Sequence, residues 1–133
     1  MGEELLVSGQ IDAGADFIRD FDDYVSVSVA FWVAPSESEQ RYLYIASDEI
    51  DDTNTHAAYG EVLRRLQVKQ GPWLDPFQVK LINTSDRIAR AAIEIRDRYS
   101  TPLPTRYGGS SLGGLSIDGA YIYPPVSALN TAT

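Results

Sequence analysis

Tyr24-Val25-Ser26-Val27-Ser28-Val29-Ala30-Phe31-Trp32-Val33 is the stretch that decides the fold. Val25, Val27, Val29, Phe31 and Val33 alternate with Tyr24, Ser26, Ser28, Ala30 and Trp32, the period of two that β-branched and aromatic residues support in a strand. Pro35 and the polar run 36–40 make a turn, and 41–46 reads as a second strand, with Leu43 and Ile45 against Tyr42 and Tyr44. So short a connection predicts an antiparallel hairpin.

Working outward, Asp12 is placed to cap a short helix over 14–21 that turns Phe17, Ile18 and Phe21 inward, and Leu5, Leu6 and Val7 suggest a short edge strand. On the other side of the hairpin, carboxylates at 48–52 precede a helix over 53–69 with Tyr59, Val62, Leu63 and Leu66 on one stripe, stopped by Gly71-Pro72. Residues 77–82 form a third strand. Asn83, Thr84, Ser85 and Asp86 then open a helix over 85–99, with Ile88, Ala91, Ala92, Ile95 and Tyr99 inward and Asp86, Arg90, Glu94 and Arg98 at ion-pair spacing outside. Strands over 105–107 and 115–123 flank a glycine-rich bend.

This order predicts an α+β two-layer sandwich: one mixed, mostly antiparallel sheet of about four to six strands, with the two main helices on one face. The second and third strands, joined through a helix, are expected to be parallel. One domain covers 1–125, and 126–133 reads as a disordered tail.

Composition closes many doors. The 133 residues include no cysteine, which excludes disulfides, thiolate zinc sites, iron–sulfur clusters and cysteine nucleophiles. His56 is the single histidine, so no site needing two can form. Net charge is −8, which opposes nonspecific nucleic-acid binding, and it is uneven. Up to Asp52 there are thirteen acids against two bases; beyond it, six acids against nine bases. No apolar run approaches the length of a membrane span, and Met1-Gly2-Glu3-Glu4-Leu5-Leu6 lacks a signal peptide's basic start, so a cytoplasmic protein without membrane contact is expected.

Four constellations could carry function. Asp48, Glu49, Asp51 and Asp52 near His56 are hard ligands, but their spacing matches neither an EF-hand loop nor an HExxH helix; helix capping accounts for them, and they read as an acidic surface without a metal. Arg106, Gly108, Gly109, Ser110 and Ser111 open a run whose amides could cradle an anion under Arg106, though no Gly-Lys-Ser/Thr triplet makes it a P-loop. Gln78 and Lys80 around Val79 suit a nuclease strand only if distant acids join them, and an exposed strand face explains them better. The fourth is a sheet face with Tyr24, Trp32, Tyr42 and Tyr44, which a two-layer sandwich would leave open as a binding surface.

No catalytic constellation stands out, and no cofactor is implied. The reading that follows is a small acidic, non-catalytic protein-binding module of inhibitor or immunity type, self-associating as a dimer and able to meet a basic protein partner. The alternative is a small-molecule binder or small enzyme, with a pocket between the aromatic sheet face and the 108–114 loop, where Tyr42, Tyr44, Arg106 and Asp118 would be the polar groups.

Overall fold

The computed structural model describes residues 8–69, 73–99 and 103–130. The expected strand at 5–7 lies outside them. In chain order the elements are α1 (Ser8–Phe21), β1 (Val29–Pro35), β2 (Tyr42–Ala46), α2 (Thr55–Lys69), a 3₁₀ turn (Pro76–Gln78), β3 (Val79–Ile82), α3 (Arg87–Tyr99), β4 (Thr105–Tyr107), β5 (Ser111–Leu112), β6 (Leu115–Ile122) and α4 (Val126–Asn130). The sheet order is β3-β2-β1-β6-β4, with β5 hairpinned onto β6. Among the described residues only the β2–β3 pairing is parallel.

β1 sits in the middle, and its residues from Val29 to Ala34 are all apolar and all buried. A run of that kind marks a strand covered on both faces. Ala30 and Trp32 point to one core, where Leu43, Ile45, Val79, Leu81 and Tyr121 meet Phe17, Ile18 and Phe21 of α1, Ala58 and Val62 of α2, and Leu129 of α4. Val29, Phe31 and Val33 point to the other, where Ala46, Ala120 and Ile122 meet Ile88, Ala89, Ala92 and Ile95 of α3.

The α+β class and the single mixed, mostly antiparallel sheet are as expected. The placement of the helices is corrected: α2 and α3 do not share a face but cover opposite ones, because both faces of β1 are apolar and each needs a helix over it. The strand read over 24–33 also begins later. Val25 N–H bonds the Phe21 carbonyl and Val27 N–H bonds the Asp22 carboxylate, so 22–28 leaves α1 as a turn and a bridging segment. Val25 and Val27 therefore join the Trp32 core rather than the Phe31 side.

Smaller corrections have similar causes. α1 runs back to Ser8, so Asp12 lies within it instead of capping it. Residues 77 and 78, expected to open the third strand, belong instead to the 3₁₀ turn over 76–78, because Asp75 accepts from the Phe77 amide while the Gln78 side chain accepts from the Asp75 amide. The tail begins as α4, with Leu129 buried against the Trp32 core.

Candidate functional site

Trp32 is fully buried under α1. Its Nε1–H donates to Tyr123 Oη at 2.9 Å, and Tyr123 Oη–H donates to the Ile11 carbonyl at 2.8 Å. Burial pushes the Tyr123 phenol well above its usual range. Gly14 makes this approach possible, since a Cβ there would lie 2.9 Å from Trp32 Nε1 and closer still to Tyr123 Oη. Trp32 is thus a core residue. Tyr24, in the turn after α1, leans on Phe21 with ring centroids 5.5 Å apart.

The antiparallel register places Tyr44 opposite Phe31 and Tyr42 opposite Val33, so these tyrosines lie on the α3 side of the sheet and not with Trp32. The four aromatic residues do not form one face. Tyr42 and Tyr44 do form part of another. α3 packs over β1, β5 and β6, which leaves Tyr42, Tyr44 and Lys80 only half-buried on β2 and β3. Tyr44 stacks on Phe31 at 5.3 Å, and its phenol is raised by burial and then by the Asp86 carboxylate. Lys80 Nζ stands 4.9 Å over the Tyr42 ring.

Below Tyr42 the strip continues into a recess of about 590 Å³ lined by Gln40, Tyr42, Asp75, Phe77 and Gln78. Phe77 is 87% exposed, the most exposed large apolar side chain among the described residues. Its turn is well braced: the capping box closes it, and Gln78 Nε2 donates to the Arg41 carbonyl at 3.0 Å. The apolar character of Phe77 suggests strand, and the Asp75-Pro76-Phe77-Gln78 capping signature is the sequence signal for its turn.

The glycine-rich run is folded for structural reasons. Gly113 (φ 57°) and Gly114 (φ 91°) make the two-residue turn between β5 and β6, where two positive φ values are needed. A Cβ on Gly113 would lie 2.5 Å from Ile88 Cα, so this turn packs on the first turn of α3. Tyr107 Oη–H donates to the Ser111 carbonyl, closing the loop through Gly108, Gly109 and Ser110 across itself. Arg106 points to the other face, its guanidinium 5.0 Å over the Tyr121 ring. Asp118 is exposed where the β1–β6 register slips between Ala34 and Pro35. β1 lies between β2, which carries Tyr42 and Tyr44, and β6, onto which the 108–114 loop folds.

Asp48, Glu49, Asp51 and Asp52 are all exposed on the connection from β2 to α2. Asp51 accepts from the Thr53 hydroxyl and amide, which hold its carboxyl below the ordinary range. Thr84 donates to Asp48, and Asn83 Nδ2 donates to the Ile50 carbonyl at 2.7 Å, pinning the connection to the start of α3. His56 is exposed on the first turn of α2. Among the described residues, no group of three or more histidines and carboxylates is placed to hold a metal ion. None of their helices is long and apolar enough to cross a membrane. No family model, curated protein or solved structure matches the chain.

Proposed function

We propose that this chain is a non-catalytic protein-binding module whose partner is a second copy of itself, met through the β2–β3 face. The observation that carries the reading is Phe77: a large aromatic side chain held out to water on a braced turn, beside a half-open aromatic strip. Interfaces draw most of their binding energy from a few such anchors, and a rigid anchor loses little entropy on docking. Burying one phenylalanine contributes about 1.5–3 kcal/mol, and a two-fold interface counts it twice.

A second copy suits the charges on this face. It carries Lys80 together with Asp75 and Asp86, and a surface with both signs can pair with its own two-fold image. β3 is also an edge strand, which adds backbone groups at the rim of the same face.

Light scattering over about a hundredfold range of concentration tests this, because self-association is set by mass action. The unaltered protein is expected to be dimeric at the high end. Phe77→Asp is expected to be monomeric throughout and, at the dilute end where the unaltered protein is monomeric too, to melt at the same temperature, since the side chain is exposed in one copy. A monomer at every concentration, or a dimer that Phe77→Asp leaves intact, would overturn the proposal.

A further inference from the structure

On the Trp32 side of the sheet, away from the β2–β3 face, a groove of about 540 Å³ lies between α1, α4 and the end of β6. Its floor is aromatic and aliphatic: Tyr121, Tyr123, Leu103, Pro104 and Pro124. Tyr121 and Tyr123 meet edge to face with centroids 5.2 Å apart, so the floor is rigid. Three charged side chains of α1 line the wall, and two of them satisfy each other. Arg19 pairs with Asp16 and also donates to the Leu129 carbonyl at 3.4 Å.

That leaves Asp12 in the groove and Arg106 over the ring of Tyr121. Both act on the same phenol: the Asp12 charge raises its pKa and the Arg106 charge lowers it, against a larger rise from burial. Yet they form no ion pair with each other or with any other described residue. Opposite charges that both reach the Tyr121 phenol, Asp12 from the groove wall and Arg106 from over the ring, and that are not ion-paired among the described residues, are complementary to a molecule that carries both charges itself.

We infer that this groove binds a small zwitterion with an apolar side chain, of the class of a free α-amino acid. The ammonium meets Asp12, the carboxylate meets Arg106 beside the groove, and the side chain lies on the exposed Leu103 and Pro104. A groove of this volume is within the range that holds small ligands, and a few placed polar groups over an apolar lining are what such sites need. An arginine fork suits a carboxylate, and an aromatic floor suits both an aliphatic chain and a nearby ammonium. This inference is independent of the β2–β3 face and stands or falls separately.

The test uses leucine and phenylalanine as probes, with N-acetylleucine and leucinamide as forms lacking one charge each. Binding is followed by isothermal calorimetry and by the fluorescence of Trp32 in a Trp73→Phe background; Trp32 reports because it bonds Tyr123 in the floor. Leucine or phenylalanine is expected to saturate, with each capped form weaker by roughly tenfold or more, the loss of one charge-assisted bond. Asp12→Asn is expected to bind leucine and N-acetylleucine equally weakly, and Arg106→Gln to do the same for leucine and leucinamide. Both side chains are exposed, so both variants keep the fold. Absence of saturation by either amino acid at about 10 mM, above the range expected for so small a ligand, would overturn the inference. So would capped forms that bind as well as the free amino acids.

Discussion

Two helical glycines should respond in opposite directions to the same substitution. In α1, Gly14→Ala places a methyl group 2.9 Å from Trp32 Nε1 and closer to Tyr123 Oη, between two rings with almost no freedom to move. Overpacking of this kind costs about 1–3 kcal/mol. If the indole–phenol–carbonyl chain opens to relieve it, a buried donor and a buried acceptor lose their partners, at about 1–3 kcal/mol more. The gain in helix propensity is only about 0.5–1 kcal/mol. Overpacking with partial loss of the bonds wins, by roughly 2–4 kcal/mol, which for a chain this long lowers the melting temperature by roughly 10 °C. In α2, nothing lies within 4 Å of a Cβ built on Gly60. Gly60→Ala therefore keeps the propensity gain and should raise the melting temperature by a few degrees. Calorimetric and urea melts of the two variants decide it. A Gly14→Ala variant as stable as the unaltered protein would refute the packing of α1 on Trp32 and Tyr123.

Tyr123→Phe removes the hydroxyl that bridges Trp32 and Ile11, and should destabilise by about 1–3 kcal/mol in urea melts, with a change in Trp32 emission as its second readout. Gly113→Ala forces a residue at φ 57° against the α3 backbone, and should lower the melting temperature more than Gly108→Ala, where space is open. The Arg64 and then Arg65 guanidinium groups hold Glu61 down from its ordinary 4.5 to about 2. A depressed acid adds stability that is present above 4.5 and lost as pH falls through about 2, so Glu61→Gln should flatten the acid limb of stability within that window.

Much of the fold was legible because local chemistry and tertiary packing agreed. Leu43 and Ile45 alternating with tyrosines, and Ile88, Ala92 and Ile95 at helical spacing, are buried as their periodicity requires. The error over the faces came from reading 24–33 as one strand. The serines at 26 and 28 extended the alternation, but Asp22 capturing the Val27 amide broke the pleat before it began. The continuous apolar run from Val29 to Ala34 was the sign that both faces would be covered, and it outweighed the alternation upstream.

The sites were less legible because they join distant segments. Trp32 resembles an open-face aromatic in the sequence, but Tyr123, 91 residues away, accepts a hydrogen bond from its indole N–H in the core. Arg106 adjoins the glycine loop in sequence, yet residues alternate along β4, and that places it over Tyr121 on the opposite side. Tyr42 and Tyr44 share a face, as residues two apart on a strand must. Phe77 was masked by its apolar character, since only the cap at Asp75 shows that the chain turns there.

The absence of native cysteine allows single spin labels to be placed at will. Labels at Gln40→Cys, beside Tyr42 and Phe77, and at Asp118→Cys, exposed at the irregularity of the otherwise largely buried β6, would compare the two halves of the sheet by pulsed dipolar distance measurement. Pairing through the β2–β3 face predicts a short inter-copy distance from position 40, a longer one from position 118, and loss of both with Phe77→Asp. A shorter distance from position 118, or no inter-copy signal from either, would contradict it.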